Sequence, residues 1–159
     1  MAIYMKYGTL QGDVTMAGYE KWIECNSFSW GVGRGITSPQ VGGSADREGS
    51  SPSVSEITLS HTQDVASNNI LREALWGEGK DVEIHFCKTN KDGCEPYYKF
   101  KLFQTMISGY STSSGGDRPQ ESLSLNFTKF EFHDLSMDNV NAPGEQDIVH
   151  YDLATGKGS

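Results

Sequence analysis

Along most of the chain large apolar residues alternate with small or polar ones at a period of two, and glycine-rich breaks punctuate the alternation. Residues 1–12 set Ile3, Met5 and Tyr7 on one face and end at Gly12-Asp13, which predicts a first strand and its turn. Residues 20–32 predict a second strand. Its even positions carry Trp22, Phe28, Trp30 and Val32, and its odd positions carry Cys25, Ser27 and Ser29. The even face should pack inward and the odd face should meet water or a cavity. Residues 54–62 put Ile57, Leu59 and His61 on one side of a third strand. Further on, Val82, Ile84 and Phe86 alternate with Glu83, His85 and Cys87 up to Asn90-Lys91-Asp92-Gly93, where Asp-Gly signals a hairpin.

Two stretches change phase. Tyr98, Phe100 and Leu102 are even, whereas Phe103 and Ile107 are odd; Leu123, Leu125 and Phe127 are odd, whereas Phe130 and Phe132 are even. Such a slip inside a strand predicts a bulge or bend that swaps faces, and two of them predict strands that turn a corner between packed sheets. The fold class expected is mainly β: two antiparallel sheets curled into a sandwich or barrel-like body.

One short helix interrupts the strands. Ser67 reads as its N-cap, Ile70, Leu71, Ala74 and Leu75 as its apolar stripe, and Gly77 as a left-handed stop. At two to three turns it must dock on a sheet to persist. Residues 33–53 break every periodicity, with five Gly, two Pro and five Ser, and read as a long exposed loop. A last strand is expected over Asp147 to Leu153 after a turn at Pro143-Gly144, followed by a loose tail at about 155–159.

Composition narrows the function. The 159 residues suit one domain, 1–159, with a sizeable core. Thirteen basic against 21 acidic residues give a net charge of −8, and no Lys/Arg cluster forms a nucleic-acid groove. No apolar run is long enough for membrane insertion, and the alternating N-terminus is not a signal peptide. Cys25, Cys87 and Cys94 are odd in number and irregular in spacing, which fits buried thiols in a reducing compartment. A Cys87–Cys94 pair across a hairpin is sterically conceivable.

Candidate chemistry is sparse, and neither an enzyme nor a cofactor is expected. Gly31-Val32-Gly33-Arg34-Gly35 has Ile36 where a phosphate loop needs its third glycine, and no helix follows. His61 and Asp64 near a serine invite a triad, but Asp64 is better placed to bond free N–H groups at the turn into the helix. No metal-ligand spacing occurs among the three Cys and four His. A soluble β-sandwich binding module, lectin-like or an adaptor, is the alternative these features leave open.

Read in order, the motifs carry more. Ser27-Phe28-Ser29-Trp30-Gly31 leads into the Gly/Ser-rich loop; Asp64-Val65-Ala66-Ser67, Leu71 and Ala74 precede Gly79-Lys80. Tyr98 precedes Met106-Ile107-Ser108-Gly109-Tyr110, and Pro119 with Glu121 leads into Leu125-Asn126-Phe127-Thr128-Lys129. In this order and spacing the chain resembles the Hcp (haemolysin-coregulated protein) family, the tail-tube subunits of bacterial type VI secretion systems. The resemblance implies a homo-hexameric ring, rings stacked into a tube, a VgrG spike, a contractile sheath with its baseplate, and secreted effectors carried in the lumen. It implies a protein held in the cytoplasm before firing and then secreted without a signal peptide. On this reading Ser27 and Ser29 are the candidate lumen- and effector-facing residues. Arg34, Pro39, Gln40, Asp46, Arg47 and Glu48 lie on the candidate ring-stacking loop.

Overall fold

The computed structural model describes residues 1–36, 49–137 and 143–159. The chain opens with β1 (Ala2–Tyr7), β2 (Ile23–Cys25), β3 (Ser27–Ser29), β4 (Val32–Gly33), β5 (Ser53–Val54) and β6 (Ile57–Thr62). Helix α1 (Ser67–Trp76) follows. Then come β7 (Lys80–Asn90), β8 (Gly93–Ser113), β9 (Gln120–Asn126), β10 (Lys129–Met137), β11 (Pro143–Asp152) and β12 (Lys157–Gly158). The first sheet runs β12-β11-β10-β8-β7-β1-β2 and the second β3-β6-β9-β8, with β4 and β5 as a separate ribbon. The fold is mainly β, two antiparallel sheets with one short helix, as the alternation predicts.

The two sheets share β8, and the phase change read from its sequence is the corner. Residues up to Phe103 pair with β7 and β10 and Thr105 still pairs with Lys80 of β7, whereas Met106 to Ser113 pair with β9. Between them Gln104 takes φ 53°, a left-handed conformation that swings the strand from one sheet to the other. Leu102, Thr105 and Ile107 all stay buried through the turn. The second phase change has a different cause. Leu123 to Phe132 is two strands, and the chain crosses between sheets at Phe127-Thr128.

Residues 20–32 likewise depart from one continuous strand. Before Asn26 the odd residues Ile23 and Cys25 face the core; after it the even residues Phe28 and Trp30 pack there, and Val32 is exposed. Cys25 is therefore a core residue, because β2 belongs to the first sheet and β3 to the second. The expected 33–53 loop also shortens. Val32↔Val54, Gly33↔Ser53 and the bridge Ile36↔Gly49 zip its two flanks into a ribbon.

The core between the sheets joins Met5, Tyr7, Val82, Ile84, Phe100 and Leu102 to Ile57, Leu59, Leu123 and Leu125. Rings of Phe28, Trp30, Phe86, Tyr98, Phe100, Phe130 and Phe132 meet in tilted or edge-on pairs, the closest being Tyr98–Phe132 at 4.4 Å. Edge-on packing satisfies the ring quadrupoles as well as burying area.

Helix α1 packs against β8 and buries Ile70. Three expectations about it need correction. Its N-cap is Ala66 without a side-chain bond, since Ser67 already turns inside the helix. Gly77 is extended at φ −69°, so the helix ends without a left-handed residue. Leu71 and Leu75 point outward with Trp76, the latter 73% exposed, because only Ile70 and Ala74 reach the core. The tail is also ordered by pairing. β11 begins at Pro143, the residue assigned to a turn, and β12 pairs Lys157 and Gly158 with Asp152 and Tyr151, which replaces the loose end expected at 155–159.

Residues 10–22 fold over the outer face of the first sheet. Gly12 makes this possible: its N–H donates to Lys21 O at 2.7 Å, and a Cβ there would lie 2.4 Å from Trp22 O. Tyr19 and Trp22 then cover Tyr4, His85 and Cys87. Burial holds the Tyr19 phenol well above its usual range, so its O–H donates to His85 Nδ1 at 3.0 Å. Burial, with Lys99 and His133 nearby, lowers the His85 pKa from its ordinary 6.5 to about 4. The unfolded chain binds this proton more tightly than the folded one. Stability should therefore be full above pH 6.5 and fall progressively towards about pH 4. Urea midpoints measured across this window should show the loss, and His85→Gln, which keeps an acceptor for Tyr19, should flatten it. An unchanged slope in the variant would assign the acid sensitivity elsewhere.

Candidate functional surface

The outer face of the second sheet follows directly from alternation. Where Ile57, Leu59, Leu123 and Leu125 point in, their neighbours Thr58, Ser60, Ser122 and Ser124 point out. Register aligns these across four strands. Ser27, Ser60, Ser122 and Ser111 form one row, and Ser29, Thr58, Ser124 and Gly109 the next. Thr62, Gln120 and Ser113 form a third. Ser27 and Ser29 are exposed, as expected, and they extend a surface of hydroxyl and amide groups reaching to β8.

This surface is internally bonded. Ser27 Oγ and Ser60 Oγ are 2.5 Å apart. Asn26 Nδ2 donates to Thr62 Oγ1 at 3.0 Å and to Gln120 Oε1 at 2.8 Å, while Gln120 Nε2 donates to Thr62 Oγ1 at 2.9 Å. Charge enters at two margins: Glu56 accepts from Ser108 Oγ at 2.6 Å and Asn126 Nδ2 at 3.2 Å, and Asp13, Glu24, Asp64 and Arg118 share a small pocket with Asn26 and Thr62. The outer face of the first sheet contrasts with it. There Lys6, Glu83, Lys101, Glu131 and His150 stand in register across five strands. Glu131 lies 3.3 Å from His133 and 3.2 Å from His150.

Beneath the hydroxyl face lies a buried polar knot. Glu121 and His61 are cross-strand partners that point inward, at 3% and 0% exposure. Glu121 Oε1 accepts from Tyr110 O–H at 2.7 Å and Oε2 from Ser67 Oγ at 3.1 Å. His61 Nε2 is 2.7 Å from Oε2, at ion-pair distance though off the line of a hydrogen bond. His61 Nδ1 faces the carbonyl of Thr62 at 3.0 Å, so that nitrogen carries a proton. Burial, together with the Glu121 carboxylate, pushes the Tyr110 phenol up and keeps it a donor. Asp64 takes the role the sequence suggests: its Oδ1 accepts from Ala66 N–H at 2.9 Å, and its own N–H donates to Ser67 Oγ.

Ser67, His61 and Glu121 are the residue types of a hydrolytic triad in the wrong order. The carboxylate stands between serine and histidine, so no imidazole reaches the hydroxyl to take its proton. Both Ser67 and His61 are also buried. Among the described residues no group of three or more His, Cys, Asp or Glu is placed to hold a metal ion. The knot is structural. Sequence reading placed His61 with Ile57 and Leu59, but it missed Glu121, whose odd position beside Leu123 and Leu125 was the available signal.

Of the loop candidates, Arg34 is exposed on the ribbon flank, with its guanidinium where a Cβ on Gly49 would come within 2.9 Å. Pro39, Gln40, Asp46, Arg47 and Glu48 lie outside the described residues.

Residues 4–133 match the family model described as "Type VI secretion system effector, Hcp". No curated protein matches. Solved structures do. "Structure of a type six secretion system protein" is 24% identical with a TM-score of 0.89, covering 99% of both chains. The crystal structure of Hcp1 from Salmonella typhimurium is 18% identical with a TM-score of 0.78, covering 99% of this chain and 98% of that one. A type VI secretion system effector from Yersinia pestis is 20% identical with a TM-score of 0.74, covering 94% and 98%. These likenesses show the fold.

The knot sets one test. Glu121→Ala leaves the Tyr110 and Ser67 hydroxyls without their acceptor and should cost about 1–3 kcal/mol for each. Tyr110→Phe removes one donor and should cost about 1–3 kcal/mol. Urea unfolding measures both, and equal costs would mean that the carboxylate is not the centre of the cluster.

Proposed function

The chain belongs to the Hcp family of type VI secretion proteins, and from that premise we propose that it is a structural tube subunit whose hydroxyl-covered sheet lines the lumen. The observation that carries this reading is the contrast between its two sheet faces. The second sheet presents small uncharged groups, and the first presents an alternating ladder of charges. A conduit must hold cargo weakly and release it, which suits short hydroxyls. Each position recurs around a ring, so weak contacts multiply through effective concentration.

Closure has its own support. Leu71, Leu75 and Trp76 expose an apolar strip on α1. Elsewhere Trp30, Val32, Val54, Phe130, Val149 and Tyr151 line an apolar groove of about 450 Å³. Two different apolar surfaces on one chain are what a head-to-tail contact between copies needs, and such contacts close into rings. Residues 1–159 act as one tube domain without catalysis of its own. The subunit forms a homo-hexameric ring, and rings stack through the ribbon that bears Arg34 and the segment with Pro39, Gln40, Asp46, Arg47 and Glu48. The tube is assembled in the cytoplasm with the baseplate, sheath and VgrG spike, and it leaves the cell with its effectors.

Light scattering after size exclusion should give about six times the protomer mass, six coming from the family and closure from symmetry. A monomer at tens of micromolar would sink the reading. Ser29→Arg should leave that mass unchanged and weaken retention of a co-expressed effector. Equal retention would take Ser29 out of the lumen, and dissociation of the ring would place it in a subunit contact. With −8 on every protomer, rings should stack more readily as salt rises towards a Debye length of about 8 Å, which sedimentation can follow.

A further inference from the structure

We propose that residues 10–22 are an acid-released strap: protonation of His85 lets this segment lift from the first sheet while both sheets stay folded. The inference goes beyond the tube reading and does not depend on it.

The strap spans the gap between β1 and β2, and its backbone is bonded to itself. Leu10 N–H donates to Tyr7 O, Gly12 to Lys21 O, Val14 to Trp22 O, Tyr19 to Met16 O, Lys21 to Val14 O and Trp22 to Tyr19 O. None of these bonds reaches β7 or β8. Side chains seat the strap instead. Val14, Met16, Tyr19 and Trp22 cluster with Tyr4 and Cys87. The rings of Tyr19 and Trp22 lie over His85 with centroids at 5.5 and 4.8 Å, and the Tyr19 phenol donates to His85 Nδ1 at 3.0 Å. At the two ends Gly8 N–H donates to Asp81 O and Ile23 pairs with Met5, so the strap is hinged at fixed points. A short two-armed segment with no core of its own does not keep its shape once it lifts.

His85 is the latch. With Tyr19 donating to Nδ1, the neutral ring carries its proton on Nε2. A second proton can bind only at Nδ1, where it displaces the donated phenol hydrogen. The new charge would then sit under two aromatic rings. Glu83 Oε2 is 3.7 Å from Nε2, beyond hydrogen-bond reach, and its side chain is 39% exposed. Lys99 and Lys101 on β8 border the same hollow and repel a cation. Glu131 on β10 lies against His133 and His150. Tyr4 on β1, Cys87 on β7 and Cys94 on β8 lie beneath the strap and offer no carboxylate. Burial, with Lys99 and His133, accordingly holds the covered ring at about 4. Once the strap lifts, water reaches the ring and the burial penalty goes. The lifted form therefore binds the proton more tightly. Closure is fullest above pH 6.5 and weakens as pH falls towards about 4. Lifting uncovers Tyr4 and Cys87, which are buried when the strap is closed.

Hydrogen exchange on the full-length chain, read by mass spectrometry of peptides covering 10–22 and 98–103, tests this from about pH 7.5 to about pH 4.5. After correction for intrinsic rates, the strap should be less protected than 98–103 at every pH. Low urea should leave its exchange unchanged while accelerating that of 98–103, which marks a local opening. Strap protection should fall by up to about tenfold for each unit below pH 6.5. His85→Gln, which keeps an acceptor for Tyr19, should abolish that slope. Tyr19→Phe keeps the ring, loses the bond and should lower strap protection already at neutral pH. In both variants 98–103 reports that the sheets are folded. Strap and sheet exchanging together with shared urea dependence, a slope that survives in His85→Gln, or unchanged protection in Tyr19→Phe would each overturn the proposal.

Discussion

A carboxylate taken out of water must be given its hydrogen bonds back, and the packing of this molecule is arranged around one such group. Glu121 sits at 3% exposure with Tyr110, Ser67 and His61 converging on its two oxygens. These partners come from β8, α1 and β6, while Glu121 itself stands on β9. The requirement to satisfy one charge thus fixes the relative position of four elements. An apolar residue of similar size would fill the space without that geometric demand. Helix α1 gains most. Its apolar burial rests on Ile70 and part of Ala74, it has no side-chain cap, and it is held at its start by buried Ser67 and by the turn that Asp64 closes.

The second constraint is the switching of strands between sheets. At Gln104, at Phe127-Thr128 and at Asn26 the chain leaves one sheet for the other, and each crossing inverts which residues face inward. The body curls because the sheets are continuous through these corners and are not simply stacked. Curling also separates the outer surfaces. One lies on the hydroxyl rows of β3, β6, β9 and the end of β8, the other on the charged rows of β1, β7, β10 and the start of β8.

Much of this is legible in the sequence because a period of two is hard to disguise. The faces of β1, β6 and β7, the corner in β8 and the outward serines at 27 and 29 all follow from it. What escaped has physical reasons. Cys25 was assigned to the polar face because an inversion at Asn26 leaves no glycine or proline to mark it. Leu71 and Leu75 fit a helical stripe, but a helix lying across a curved sheet touches it along a narrower line than periodicity assumes. The pairing of Lys157 and Gly158 joins two short polar segments, which pattern alone cannot distinguish from a free end. Glu121 escaped since a charged residue at an inward position reads as an exception until its partners are known.

The partition of charge is the last step. A lumen lined with the chain's net charge of −8 would grip basic cargo and repel acidic cargo across a confined space. On the described residues of the second sheet the facing groups are instead hydroxyls and amides that already bond one another, as at Ser27–Ser60 and Asn26–Gln120–Thr62. Groups so satisfied offer a passing protein little net gain for a direct bond, since each new bond replaces an existing one or a bond to water. Weak, exchangeable contact over a broad face therefore needs no special pocket. It follows from alternation that places apolar residues inside and the smallest polar residues outside.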